Sequence, residues 1–363
     1  MVQYKNYSAK IQQYFASANS GRGFESYFDR IFDISDFKKI YILKGGPGTG
    51  KSTIMRRMCE VAVKCGLEFE QILCSSDPDS LDGVIISSPR GRIGILDGTA
   101  PHTRDTLSPG AVDEMIDLGR FWDSAILEMH RKTILELQNK KREAYANSYS
   151  ILRSALVYLN RKNTILRECL NKHKLEDAVT RILGHKCTPE ADPRISYKLS
   201  HAISAKGECS CDLYENMYDR SFAVYGSHGA AFAVLEEIRL FAETHKQNIT
   251  VSPSPLCPDI LDGISVDSSR ISFYDAGKYK PTEGQKAINS ERFLIQDKIK
   301  EAKPTLRMLT KLYEDAMACA YTELSRSRTY HFGLEEIYTS AVNFEKMNIL
   351  KEYLAQNIRD FCT

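Results

Sequence analysis

The chain has 363 residues, of which 42% are hydrophobic, and its 49 Lys and Arg nearly balance its 47 Asp and Glu. This length predicts two or three domains with cores of their own, and the composition excludes a disordered chain. No segment is apolar enough for a signal peptide or a membrane-spanning helix, so we expect a cytoplasmic protein without membrane contact.

The ten cysteines are scattered along the chain. In a chain without a signal peptide this favours free thiols over a disulfide framework. The closest pair is Cys209 and Cys211, with Cys187, His185 and His201 upstream. These residues lack the CxxC spacing of structural zinc sites, and we therefore do not expect a zinc centre.

The first predicted elements surround a glycine-rich segment. Residues 39–43 are a short run of β-branched and aromatic residues that ends in glycines, which is typical of a buried strand entering a tight loop. Apolar residues then recur at helical spacing from Ile54 to Cys65, and Gly66 stands where a C-cap glycine belongs. Further strands are predicted at 69–74, 84–86 and 92–96. The order strand, helix, strand predicts a right-handed βαβ unit in a parallel sheet.

From about Leu118 the pattern becomes that of long helices. The segment from Arg120 to Lys186 contains 14 Lys and Arg against 7 Asp and Glu, a net charge of +7. We favour a solvated helical hairpin as the interpretation of this charge. The alternative is a surface for an acidic or protein partner, among which nucleic acid is the less favoured choice.

The second half of the chain repeats the first at an offset of 178 to 181 residues. Gly226 and Gly229 align with Gly45 and Gly48, and two longer blocks follow in register. These blocks are Leu-Asp-Gly at 261–263 against 81–83, and RISFYDAG at 270–277 against RIGILDGT at 92–99. Agreement in register at several places predicts a tandem duplication of one α/β unit.

The repeat divides the chain into four parts. We predict an active α/β unit at 1–119, a helical hairpin appendage at 120–190, a second, degenerate α/β copy at 191–285 and a C-terminal helical appendage at 286–363. Between the first strand and helix, residues 45–52 read GGPGTGKS, a phosphate-binding loop motif. The predicted fold class is therefore α/β, a parallel-sheet P-loop NTPase fold in two tandem copies, each with a long helical appendage.

Residues 45–52 read GGPGTGKS and fit the GxxxxGK[ST] motif between a strand and a helix. In this motif the glycines let backbone N–H groups turn towards phosphate oxygens, and the helix adds the positive end of its dipole. Lys51 would reach the β- and γ-phosphates, and Ser52 would place its hydroxyl on Mg²⁺. The predicted cofactors are thus ATP and Mg²⁺. The predicted binding residues are Gly45, Gly46, Pro47, Gly48, Thr49, Gly50, Lys51, Ser52 and Thr53.

Asp97 ends an apolar strand, as the acidic residue of a Walker B element does, and we predict it as a metal ligand together with Ser52. The alternative is a turn aspartate before Gly98. No Glu follows Asp97, so the usual water-activating carboxylate is missing from its customary place. The predicted catalytic residues are Lys51, Asp97 and Asp77.

Asp77 is a candidate because its loop leaves the carboxyl end of the second strand, where ligands of open α/β sheets bind. Asp82 follows it on the same loop, and His102, just beyond Asp97, is a candidate for contact with the γ-phosphate. Each of these residues fits a turn equally well. Arg90, Arg92 and Arg104 are candidates for stabilising a transferring phosphoryl group, and the sequence does not choose among them.

The second copy has lost these residues. Phe232, Ala233 and Val234 replace Lys51, Ser52 and Thr53, while Ala231 replaces Gly50 and His228 replaces Pro47. Asp275 survives at the position of Asp97. We expect this copy to keep the fold and to bind triphosphate weakly or not at all, because phenylalanine cannot neutralise phosphate.

Four segments carry a resemblance to a known family: GGPGTGKST at 45–53, CSSDPDSLDG at 74–83, ILDGTAPH at 95–102 and PGAVDE at 109–114. Together they resemble a bacterial family of tandem P-loop ATPases, found mainly in Firmicutes, whose physiological role is poorly defined. The resemblance implies ATP binding and hydrolysis but supplies no substrate. Members often keep a recognisable P-loop in the second copy, and this sequence departs from them there.

The function we predict is a Mg-ATP-binding ATPase with one functional site in the N-terminal half and a pseudo-site in the C-terminal half. One alternative is a small-molecule or nucleotide kinase whose acceptor is held by residues 75–83. The absence of a recognisable arginine-bearing lid motif counts against it. The other is a non-catalytic nucleotide-dependent interaction module, favoured by the missing Glu after Asp97 and by the degenerate second site.

Overall fold

The computed structural model describes residues 11–184, 188–282 and 284–362. The strands of the first half are β1 (Gln12–Phe15), β2 (Ser17–Ser20), β3 (Gly23–Ser26), β4 (Lys39–Lys44), β5 (Glu68–Leu73), β6 (Leu81–Ser88), β7 (Gly91–Asp97) and β8 (Asp113–Asp117). Its helices are α1 (Phe28–Ile31), α2 (Lys51–Lys64), α3 (Ser124–Met129), α4 (Arg131–Glu168) and α5 (Lys172–Leu183).

The second half continues with β9 (Ile195–Tyr197), β10 (His201–Ser204), β11 (Gly207–Ser210), β12 (Arg220–Tyr225), β13 (Ile249–Pro253), β14 (Leu261–Val266), β15 (Ile271–Asp275) and β16 (Lys286–Asn289). Its helices are α6 (Leu213–Asn216), α7 (Ala231–Thr244), α8 (Gln296–Ala341) and α9 (Phe344–Cys362).

The first sheet has six strands in the order β1-β5-β6-β7-β4-β8. Every neighbouring pair is parallel except the two that involve β6, which runs antiparallel to β5 and to β7. The predicted parallel sheet therefore holds for the strands other than β6. The reason for this exception is local, because Ser88 pairs with Gly91 and only two residues connect β6 to β7, whereas a parallel connection needs a long crossover.

The second sheet has the order β16-β12-β15-β14-β13-β9. Counted from the opposite edge, this is the order of the first sheet: β16 corresponds to β8, β12 to β4, β15 to β7, β14 to β6, β13 to β5 and β9 to β1. The strand β14 is the one antiparallel strand of this sheet, as β6 is of the first. Each half also carries a separate two-stranded hairpin, β2-β3 or β10-β11. The protein is thus a mixed α/β structure with two mostly parallel six-stranded sheets of the same topology.

The long helices differ from the predicted appendages. Residues 120–190 do not form a hairpin with each other, because α4 is one continuous helix of 38 residues that lies along α8, a helix of 46 residues. The two run antiparallel and are joined near both ends. Asp123 N donates to Ala341 O at 2.8 Å, and Asn171 N donates to Phe293 O at 2.8 Å.

The helix after each long helix packs on the other half of the chain. Leu175, Val179 and Leu183 of α5 share a core with α7 of the second half. In the same way, Met347, Leu354 and Ile358 of α9 share a core with α2 of the first half. Each half of the chain therefore contributes one helix to the core of the other half: α5 packs in the second half and α9 in the first.

Candidate functional site

The glycine-rich loop, residues 45–52, connects the carboxyl end of β4 to the start of α2. Gly48 and Gly50 have φ of +69° and +78°, in the left-handed region that favours glycine, and Gly50 is the N-cap of α2. A Cβ on Gly45 would lie 2.8 Å from Thr49 Oγ1. Glycine is thus required at these positions by backbone conformation or by close approach.

Lys51 is folded back over this loop. Its side chain is 13% exposed, and Nζ donates to the carbonyl oxygens of Gly45 at 2.7 Å and Gly46 at 2.9 Å. The same nitrogen lies 3.6 Å from Asp97 Oδ2. A cation is therefore held at the helix N-terminus with a carboxylate beside it.

Asp97 reaches this place because β4 and β7 are parallel neighbours. Their register pairs Leu43 with Asp97, so the last residue of β7 lies next to the start of the loop. Asp97 Oδ1 accepts from Thr99 N at 2.8 Å and from the Thr99 hydroxyl. Burial raises the pKa of Asp97, which the Lys51 charge opposes and the nearby Asp82 charge reinforces.

The hydroxyl groups of the loop have different surroundings. Ser52 Oγ accepts from Leu81 N at 3.0 Å, which ties the start of α2 to β6. The buried Thr49 hydroxyl donates to Gly46 O at 2.8 Å, whereas Thr53 is exposed. The two predicted metal ligands therefore come from different elements: Ser52 ends the glycine-rich loop, and Asp97 ends β7, the strand beside β4.

Asp82 and His102 form a buried pair beside Asp97. His102 Nε2 lies 3.0 Å from Asp82 Oδ2, and their side chains are 7% and 8% exposed. Burial lowers the pKa of His102, but the hydrogen bond and charge of Asp82 outweigh it, so that the pKa is raised. The structure thus brings Lys51, Asp97, Asp82 and His102 together at one edge of the sheet.

Asp77 lies in a different environment. Its Oδ2 accepts from Ser80 Oγ at 3.2 Å within its own loop, and its Oδ1 lies 3.2 Å from an Arg328 nitrogen on α8. Lys206 of the second half is 3.9 Å away. These contacts join the loop to the helices and the second half, and a catalytic role for Asp77 stays a prediction.

The three candidate arginines contact other parts of the molecule. Arg104 is buried, with its guanidinium 2.6 Å from Phe32 O. Arg92 lies over the Phe37 ring, five residues before Asp97 on β7 and hence roughly 17 Å from that end of the strand. Arg90 precedes β7 and lies 3.4 Å from Asp360 O on α9.

The carboxyl end of α8 covers the glycine-rich loop. The sequence did not predict this contact. A Cβ on Gly48 would lie 2.7 Å from Glu335 O, and a Cβ on Gly46 would lie 3.2 Å from the Tyr338 ring. Thr339 Oγ1 is 3.4 Å from Gly48 O. Residues 328, 331, 335 and 339 recur at helical spacing, but nothing in this pattern identifies the loop as their neighbour.

In the second half, the side chain of Glu291 occupies the equivalent loop. Its Oε1 accepts from His228 N at 2.8 Å and from Ser227 Oγ at 3.2 Å, and its Oε2 contacts His228 Nδ1. Asn289 of β16 pairs with Tyr225 and Asp117 of β8 pairs with Lys44, and both partners are the last residue before the loop. Asn289 therefore corresponds to Asp117, and Glu291 to Gly119. The backbone that would receive a phosphate in this copy therefore binds the protein's own carboxylate.

The remaining sequence candidates concern metals, thiols and membranes. His201 lies 3.5 Å from Asp262, while His185 and Cys187 fall outside the described residues. Within 11–184, 188–282 and 284–362, no group of three or more His, Cys, Asp or Glu is placed to hold a metal ion. The eight cysteines whose side chains are described are all free thiols. No described helix combines the length and apolarity needed to span a membrane.

Comparison of the chain with protein families, with curated proteins and with solved structures finds no match in any of the three.

Proposed function

We propose that the glycine-rich loop is a P-loop that binds Mg-ATP, and that the chain is an ATPase of the tandem P-loop type with one functional site. The observation that carries the proposal is the convergence of left-handed Gly48 and Gly50, the Lys51 ammonium and the Asp97 carboxylate at the end of β4. These are the residue types and positions that phosphate and its metal require.

The residues fit both cofactors. Lys51 donates to two carbonyls of its own loop, so a phosphate oxygen could take its hydrogen bonds without a large movement of the side chain. Ser52 Oγ and Asp97 Oδ2 would hold Mg²⁺, which favours oxygen ligands and keeps several waters. When bound, the metal ion would neutralise charge on the β- and γ-phosphate oxygens.

The proposal assigns one task to each side chain. Lys51 holds the phosphates, Asp97 holds the metal ion, and the loop amides fix the phosphate chain at the N-terminus of α2. Since Gly98 follows Asp97, the carboxylate that orients the attacking water must come from elsewhere. We assign this role to Asp82, because this buried carboxylate lies near Asp97 and contacts His102, which holds it in place.

A nucleotide-dependent interaction module is the second candidate function. The observation that favours it is the contact of α8 with the glycine-rich loop through Glu335 and Tyr338. Since α8 begins in the second half of the chain, nucleotide binding would change a contact between the two halves even without hydrolysis. A kinase remains the other alternative, with residues 75–83 as its acceptor loop.

Phosphate release from Mg-ATP tests the proposal. We expect the wild-type protein to release phosphate without an added acceptor, and Lys51→Ala to lower the rate by about a hundredfold or more, because the loop loses its ammonium. Lys64→Ala, which removes an exposed lysine from the same helix, is the matched control and should retain the wild-type rate.

The other outcomes separate the three functions. Consumption of ATP only after a small-molecule acceptor is added would favour the kinase. Binding of Mg-ATP without any turnover would favour the interaction module. Hydrolysis by Lys51→Ala at the wild-type rate would show that the glycine-rich loop is not the site.

A further inference from the structure

A second lysine is connected to the glycine-rich loop through two residues of α8. Lys141, on α4, places its Nζ 3.0 Å from Nδ1 of His331 on α8. His331 Nε2 lies 3.5 Å from Oε1 of Glu335, one turn further along α8. The backbone of Glu335 packs directly on Gly48, so a short chain of contacts connects the Lys141 ammonium to the loop.

The surroundings of Lys141 are unfavourable for a cation. Its side chain is partly buried, and in the described part of the chain no carboxylate lies within ion-pair distance of it. Burial lowers the pKa of Lys141, Cys74 and Glu335 oppose this effect, and the positive charge of Lys51 lowers the pKa further. Two ammonium groups that repel each other across a partly desolvated space are stabilised when an anion lies between them.

The helix pair also carries an arginine near the loop, but its charge is already balanced. Arg328, one turn before His331 on α8, pairs with Asp77 at 3.2 Å. Among the described residues, Lys141 has no such carboxylate partner, so its charge remains to be matched by a ligand.

The repeat provides an independent comparison. The segment AYANSY at 144–149 aligns with AMACAY at 316–321, which places Tyr313 at the position of Lys141. In the same copy Phe232 replaces Lys51, and Glu291 occupies the loop. The copy that has lost the loop lysine thus has no lysine at the position of Lys141; a cation at its loop is instead Lys162 of α4, whose Nζ lies 3.3 Å from where a Cβ on Gly229 would stand.

We propose that Lys141 is a second phosphate-binding residue of the nucleotide site, and that it donates to the terminal phosphate from the side opposite Lys51. This inference rests on the proposed function. It makes α4 part of the site: the γ-phosphate would be held between the loop and the helical layer, whereas a nucleoside diphosphate would lack the group that Lys141 binds.

The test compares Mg-ATP and Mg-ADP binding by titration calorimetry. Lys141→Gln should weaken Mg-ATP binding about tenfold or more and Mg-ADP binding by much less, because one charged hydrogen bond to the terminal phosphate is lost. Lys141→Arg should restore the preference for ATP. Lys140→Gln, at the exposed neighbouring lysine, is the matched control and should bind both nucleotides as the wild type does.

Thermal unfolding without nucleotide distinguishes this role from a structural one. Lys141→Gln should not lower the melting temperature, since no carboxylate of the described residues pairs with this cation and the glutamine amide can donate to His331 in its place. Equal weakening of ATP and ADP, unchanged binding of both, or a lowered melting temperature with an unchanged ATP preference would each overturn the inference. If the wild type binds ATP and Lys51→Ala does not, such a result leaves the proposed function standing; if the wild type binds no nucleotide, both fail.

Discussion

Asp97 uses its two carboxylate oxygens for different contacts. Oδ1 accepts hydrogen bonds from Thr99 and closes the turn after β7, while Oδ2 faces the Lys51 ammonium at 3.6 Å. The sequence offered a metal ligand and a turn residue as alternatives. In the structure the two contacts coexist, so the turn orients the carboxylate for the role that we propose.

The variant Asp97→Asn separates these two roles. Asparagine can still accept from Thr99, so we expect the free energy of unfolding to fall by at most about 1 kcal/mol. Loss of the negative charge removes the proposed metal ligand, and Mg²⁺-dependent ATP hydrolysis should collapse while some nucleotide affinity remains through Lys51. Thermal unfolding and a Mg²⁺ titration of the hydrolysis rate measure both effects.

Asp105→Asn is the control for this substitution, because Asp105 is an exposed carboxylate that also pairs with a lysine, Lys44 at the end of β4. It should change neither the rate nor the Mg²⁺ requirement. Normal hydrolysis by Asp97→Asn with the wild-type Mg²⁺ requirement would leave Asp97 with only its turn role. Asp82 would then be the next ligand to test.

The part of the site that the sequence predicts is the part built from local contacts. Lys51 follows the loop at the end of β4, and Asp97 ends the adjacent parallel strand β7, so a motif and a strand pattern suffice to bring them together. Lys141 and Glu335 reach the same place only through the packing of α4 on α8. The contact of Glu335 with Gly48 and that of Lys141 with His331 depend on tertiary structure, and no short-range pattern reveals them.

At the scale of elements, one short turn distinguishes the two glycine loops. The 3-10 turn that follows the last strand of each sheet is Gly119–Phe121 in the first half and Ser290–Phe293 in the second. In the second half this turn supplies Glu291 to the loop amides. In the first half it begins with glycine, which has no side chain to place there.

This comparison predicts that Gly119→Glu blocks the first site. The new carboxylate would compete with phosphate for the loop amides and repel it, so Mg-ATP affinity should fall at least about tenfold relative to Gly119→Gln. Both variants introduce the same Cβ against Asp117 and Trp122, which makes glutamine the matched control for steric cost. Calorimetry on the two folded variants gives the comparison, and equal affinities would contradict it.

The elements themselves were predictable to different degrees. The strand before the glycine-rich loop and the helix after it were confirmed, because period and turn residues agree there. The sheet is parallel as predicted except at β6, whose antiparallel direction follows from the two-residue turn to β7. The predicted helical hairpin was wrong because α4 packs along α8, which begins more than 120 residues later in the chain. The spacing of apolar residues shows that a helix has an apolar face, but it does not show which helix packs on that face.

At the scale of the whole molecule, neither half is complete by itself. The α4–α8 pair crosses between the sheets, and the helices α5 and α9 then pack on α7 and α2 of the opposite half. With a rise of 1.5 Å per residue, α8 spans about 69 Å. It starts beside the turn that carries Glu291 and ends over the glycine-rich loop, so one continuous helix connects the two loops. A partner for the basic segment 120–186 stays a prediction.

The central claim is that one half binds Mg-ATP and the other does not. Titration calorimetry of the full chain with a slowly hydrolysed ATP analogue and Mg²⁺ tests it most directly. The account predicts one nucleotide per chain, with binding abolished by Lys51→Ala. A stoichiometry of two, or a binding event that survives in folded Lys51→Ala, would contradict the claim.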